Sequence, residues 1–150
     1  MTTNSYNGFS GAQRDRAQAW LRAEWASGRL KRPRVCCACG QDRGVIDAHA
    51  EDYSEPFAAG KTDEFHLCFT CHMILHCRFR NRAAWDRYRG AIRLGGRFRA
   101  YLKRDFGTFS AEHLDGDEGF ERAWRHFTPA PAPARMVLDE IDARPYRRTK

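Results

Sequence analysis

Two Cys-x-x-Cys pairs, Cys36-Cys37-Ala38-Cys39 and Cys68-Phe69-Thr70-Cys71, constrain this chain more than any other feature. Each pair has the spacing with which a tight turn presents two sulfurs to one tetrahedral ion, so Cys36, Cys39, Cys68 and Cys71 are read as ligands of a structural Zn2+. Zinc held by two separated knuckles ties the start of a hairpin to the start of the following helix, and its binding free energy becomes folding free energy. That matters in a chain of 150 residues, which cannot bury a very large fraction of its surface. Cys37 and Cys77 are then spare and are expected to be buried thiols.

The remaining pattern predicts an α+β protein in four stretches. Residues 1–34 form an N-terminal helical extension, in which Ser10 caps a helix over 11–27. Ala17, Trp20, Leu21 and Trp25 lie on one stripe of that helix, and Gly28 stops it. Residues 35–80 form the zinc-stapled core, with strands over 44–50 and 64–67, a loop over 51–62 and a helix over 70–79. Residues 81–127 form a basic helical extension. Asn81 caps a helix reaching Leu94, with Ala84, Trp85, Tyr88, Ala91 and Ile92 facing a core, and helical potential over 110–127 is interrupted by Gly116 and Gly119. Residues 128–150 are a Pro/Ala-rich linker and tail with a short element near 136–141. No apolar run approaches the roughly 20 residues a bilayer span needs, and the opening MTTNSYNGFSGAQRDR carries no apolar stretch, so a soluble, cytoplasmic protein without a membrane partner is expected. In that reducing setting thiols and metal ligands are favoured over disulfides.

Three histidines fall inside the stapled core. His72 and His76 are four residues apart on the expected helix and share a face, a common geometry for a metal pair. His49 ends the first strand and can supply a third ligand. The four cysteines saturate one ion, so the histidines imply a second, open metal site. His66, His113 and His126 fall outside any ligand spacing.

The combined pattern resembles the HNH endonuclease family, particularly its small phage and bacterial members with paired zinc knuckles. The residues that carry the resemblance are His49-Ala50-Glu51-Asp52-Tyr53-Ser54-Glu55-Pro56 and Leu67-Cys68-Phe69-Thr70-Cys71-His72-Met73-Ile74-Leu75-His76, within Cys36 to Cys77. The resemblance implies a ββα-metal fold on a treble-clef-like zinc scaffold with flanking helices. It also implies a catalytic divalent ion, Mg2+ or another, and hydrolysis of phosphodiester bonds in DNA. It gives His49, His72 and His76 catalytic roles, with His49 and His76 as ligands of the catalytic ion. The family commonly has a general-base histidine directly after the first ligand, and here that place is Ala50. Glu51 or His72 would have to substitute. The alternative is a non-catalytic zinc-stapled DNA-binding or phage accessory protein that keeps the scaffold and lacks the base.

Charge distribution adds a partner. The 26 Lys and Arg against 19 Asp and Glu are unevenly placed: residues 47–77 are acidic, while residues 78–104 hold ten basic residues and one acid, Asp86. Guanidinium groups match phosphate oxygens and give affinity without sequence choice, so Arg78, Arg80, Arg82, Arg87 and Arg89 are expected to contact the DNA backbone.

Overall fold

The computed structural model describes residues 3–148 as an α+β chain with six α-helices and one two-stranded sheet among them. The elements are α1 (Gly11–Ser27), β1 (Ile46–His49), β2 (Phe65–Cys68), α2 (Phe69–Cys77), α3 (Arg82–Arg93), α4 (Phe106–Phe109), α5 (Gly116–Trp124) and α6 (Val137–Asp142). A π-helical turn, Ser110–Leu114, joins α4 to α5. No helix among the described residues is long and apolar enough to cross a membrane.

The chain forms two compact units. The first comprises the N-terminal segment up to Pro33, Ala48–Phe65, and the segment from Arg144 on. Its helix α1 begins where Ser10 accepts from the Gln13 amide while the Gln13 side chain accepts from the Ser10 amide, a capping box that satisfies two donors the helix itself cannot. It ends at Gly28, whose left-handed backbone (φ 78°) closes the last turn. Ala17 and Leu21 of the expected stripe are buried, whereas Trp20 and Trp25 are half-buried, and Arg14 takes an interior place instead. Arg14 stays there because its guanidinium lies over the rings of Tyr6 and Tyr53 and donates to the Asn4 carbonyl. The apolar centre of this unit is Tyr6, Ala17, Ala50 and Tyr53, with Phe9, Phe57 and Tyr146 packed on it.

The second unit comprises Arg34–Asp47 and His66–Ala143. Helix α3 buries Ala84, Trp85, Tyr88, Ala91 and Ile92, the face its sequence period predicts. Leu67, Phe69, Ile74 and Leu75, and, from α6, Val137, Leu138 and Ile141, are buried in the same unit. The predicted helical run over 110–127 is broken into α4, the π turn and α5. Gly119 is required there because a Cβ would lie 2.6 Å from the Ala111 carbonyl oxygen. Segment 97–104 runs alongside residues 40–47 in the same direction. Arg97 donates to the Gly40 carbonyl, the Gln41 amide group to the Phe98 carbonyl, and the Val45 amide to the Tyr101 carbonyl. At Gly44 (φ 69°) a Cβ would meet the Tyr101 carbonyl oxygen at 2.2 Å, so the close approach needs glycine.

The π turn places His113 in an aromatic cage of Tyr88, Phe98 and Phe109, where neither ring nitrogen has a partner. Burial, with Arg99 nearby, pulls its pKa down to about 4. A histidine titrating near 4 when folded and near 6.5 when unfolded takes up its proton preferentially in the unfolded chain. Its contribution is therefore intact above about pH 6.5 and is lost as pH falls toward 4, by up to about 3 kcal/mol. Urea unfolding between pH 7 and 4.5 should show that loss in the wild type and a distinctly flatter profile in His113→Phe. Equal slopes would contradict the assignment.

Candidate metal centres

The first centre is built by a turn and a helix start. In the knuckle, the Gly40 amide donates to the Cys36 carbonyl (2.9 Å) and the Cys36 amide to the Gln41 carbonyl (2.8 Å), with Gly40 at φ 78°. This curls Cys36 and Cys39 toward one point. Cys68 ends β2 and caps α2, its sulfur accepting from the Cys71 amide, so Cys71 follows one turn later. The Cys37 amide donates to the His66 carbonyl (2.8 Å) and pins the knuckle to β2. One sulfur from each of Cys36, Cys39, Cys68 and Cys71 lies within 4.8 Å of every other, in a group that can hold a metal ion.

The donor set fits zinc. A tetrahedral ion with Zn–S bonds of about 2.3 Å holds its sulfurs about 3.8 Å apart, and the Cys39 and Cys68 sulfurs are 3.8 Å apart. The Tyr88 hydroxyl lies 2.6 Å from the Cys71 sulfur, so α3 supplies a hydrogen bond to the cluster. The spare cysteines divide: Cys77 is buried as expected, but Cys37 is exposed. Its neighbours Cys36 and Ala38 are the inward positions of the turn, which leaves Cys37 pointing outward. Although the residue as a whole is exposed, partial desolvation of its sulfur and the nearby Cys36 charge push its thiol up to about 11.

The second candidate group involves the histidines. His72, in the first turn of α2, has Nδ1 3.0 Å from Asp47 Oδ2 on β1 and Nε2 3.0 Å from His76 Nε2. A neutral His72 donating from Nδ1 to Asp47 carries its lone pair on Nε2. Burial raises the Asp47 pKa, but the His72 hydrogen bond and charge and the Arg104 guanidinium outweigh it and hold the carboxyl below its usual range. Arg104 reaches Asp47 from segment 97–104. Asp47 was not among the residues singled out from sequence. The available signal was its place two residues before His49, on the same face of a strand.

His49 lies in the first unit and is fully buried. Its Nε2 is 2.7 Å from Glu51 Oε1, which also accepts from the Tyr6 hydroxyl (2.7 Å), while the Asn7 side chain donates to the Glu51 carbonyl (2.8 Å). With Nε2 on the carboxylate, Nδ1 is the nitrogen suited to a ligand. Glu51 is thus a buried partner of His49 rather than a loop acid facing water. Asp52 is the exposed loop acid, accepting from the Ser54 amide, and Tyr53 is core.

The five arginines expected on DNA are mostly committed inside the second unit. Arg78 is 2% exposed, donates to the Leu75 carbonyl and lies over the Phe79 ring. Arg82 forms a double hydrogen bond with Asp142, Arg87 pairs with Asp117, and Arg89 pairs with Asp139 and Asp86. Arg80 is exposed and meets no carboxylate among the described contacts. Apart from Asp86 on α3 itself, the acids come from α5 and α6, some 30 to 60 residues further along the chain, a separation that the local charge pattern does not reveal.

No family model, curated protein or solved structure matches this chain.

Zinc dependence separates the six cysteines. Cys68→Ser should lose the bound ion, measured by chelator-dye release and mass spectrometry, and with it the cooperative thermal transition. Cys37→Ser should keep both. A Cys68→Ser protein that retains zinc and a wild-type transition would refute the four-cysteine centre.

Proposed function

We propose that this protein is a metal-dependent endonuclease of the HNH type, hydrolysing phosphodiester bonds in DNA on a ββα-metal, treble-clef-like core. The observation that carries the reading is the Asp47–His72–His76 arrangement along α2, in which His72 lies one residue beyond Cys71 of the four-cysteine group. Alternation along β1 gives His49 the same strand face as Asp47, which supports His49 and His76 as the residues that would hold a divalent ion. When bound, the ion would neutralise charge on the scissile phosphate and the departing oxygen.

The chain's own groups supply the proton chemistry. His72 takes a proton from the attacking water at Nε2 as the water oxygen bonds to phosphorus. Asp47 holds the His72 tautomer through Nδ1 and stabilises the imidazolium that results. This places the base on α2, in keeping with Ala50 at the usual position after the first histidine. Glu51 orients His49 through Nε2 and takes no proton from water, being buried against Tyr6.

A second reading is favoured by Ala50 itself: a zinc-stapled DNA-binding protein without hydrolytic activity. Zinc-loaded wild type and His76→Ala, incubated with supercoiled DNA and Mg2+, Mn2+ or Ni2+, distinguish the two. The nuclease reading expects nicked and linear products, reduced at least about 100-fold in His76→Ala with zinc content unchanged. Folded wild type that produces neither product with any of the ions would give the binding reading the lead.

A further inference from the structure

The sulfurs of the four-cysteine group do not share one environment. The Cys68 sulfur accepts from the Cys71 amide, inside its own knuckle. The Cys71 sulfur is met from outside, by the Tyr88 hydroxyl of α3 at 2.6 Å. Among the described residues, no other side chain from outside the four bonds to one of these sulfurs. The hydroxyl is also held where it is. The Tyr88 ring stacks on Phe98, with centroids 5.3 Å apart and planes at 25°, and stands nearly perpendicular to the His113 ring at 5.9 Å. Tyr88 is 1% exposed and Cys71 0%, so bulk water has no access with which to replace the hydroxyl.

A cysteine that holds an ion does so as the thiolate, with no proton to give. In the loaded centre the phenol therefore donates and the Cys71 sulfur accepts. Four thiolates carry more negative charge than one divalent ion cancels, and the excess is costly in a buried place unless donors take part of it. Tyr88 supplies such a donor, and it supplies it to one sulfur of the four.

We propose that Tyr88 is a positioning residue of the zinc centre: its hydroxyl draws charge from the Cys71 thiolate and fixes the direction of that sulfur, and so sets how tightly the ion is held. Helix α3 is then part of the centre and not only a helix packed beside it. The inference rests on the four-cysteine centre and stands whether the protein cuts DNA, binds it or does neither.

Tyr88→Phe in the full chain removes one oxygen and keeps the ring that packs on Phe98 and His113. Its zinc affinity, measured by competition with a chromophoric chelator at neutral pH, should fall about 10- to 100-fold. Tyr101→Phe removes another buried hydroxyl of the same unit, one that bonds to Glu112 instead of sulfur, and should keep the wild-type affinity. Zinc binding is coupled to folding, so a general loss of stability would weaken it too. Cobalt-loaded proteins separate the two causes. Loss of the donor raises the energy of the sulfur lone pair, so the sulfur-to-cobalt charge-transfer bands of Tyr88→Phe should move to longer wavelength, while those of Tyr101→Phe stay in place. Wild-type chain carrying 3-fluorotyrosine at position 88, a more acidic phenol of nearly the same size, should move them to shorter wavelength, and it serves where Tyr88→Phe does not fold. Bands that stay in place in both position-88 proteins, a Tyr88→Phe protein with wild-type zinc affinity, or an equal loss in Tyr101→Phe would each overturn the proposal.

Discussion

Four sulfurs within 4.8 Å of one another cannot all be thiolates without a cation between them. In the metal-free cluster, hydrogen bonds from Cys39, Cys68 and Cys71 hold the Cys36 thiol far below its ordinary range. Cys68, giving its hydrogen bond to Cys36, and Cys71, through burial, are held far above it. A divalent ion held by these four residues would bind them as thiolates, so metal affinity and protonation would be coupled, and the folding of the second unit would be coupled to both. The same four residues set distances elsewhere. Cys36 and Cys39 begin the stretch that runs through Gly44 into β1, and Cys68 and Cys71 are the end of β2 and the first turn of α2. Asp47 and His72 therefore meet because the two knuckles meet.

The charged clasp between α3 and α6 adds register to packing. Burying Val137, Leu138 and Ile141 stabilises α6 by roughly 1.5–3 kcal/mol per side chain, whereas partly exposed ion pairs contribute about 1 kcal/mol or less each. The apolar side chains hold α6 down. The paired carboxylates Asp139 and Asp142, one turn apart, fix which arginines it meets, with Asp142 serving Arg82 and the Trp85 indole and Asp139 serving Arg89 and Arg93.

Local signals in the sequence located the elements well. The Ser10 cap and Gly28 stop bound α1 as expected, the period of 82–93 identifies the buried face of α3, and Cys-x-x-Cys spacing brings together the four sulfurs. What was not legible is what depends on distant partners. Arg78 reads as a surface cation because nothing nearby in sequence shows Asp142, the carboxylate that helps it sit inside. Cys37 reads as a buried thiol because its two inward neighbours are visible only once the knuckle has curled. The parallel run of 97–104 beside 40–47 has no sequence signature, since side-by-side extended segments separated by 57 residues leave no local period.

Asp47, His49 and Glu51 occupy alternate positions, and two of the three place a carboxylate on an imidazole. The two pairs differ in cost. Asp47 and His72 are partly exposed, and water offsets their desolvation, but His49 and Glu51 are almost wholly removed from solvent. A buried His–Glu pair is expensive relative to apolar side chains of the same volume, even when, as here, Tyr6 and Asn7 satisfy the carboxyl group. Packing alone would be better served by leucine and methionine at these positions. The pair does something leucine cannot: it locks one tautomer and one orientation of a histidine ring, which is the requirement for an imidazole that must present a defined nitrogen to a ligand.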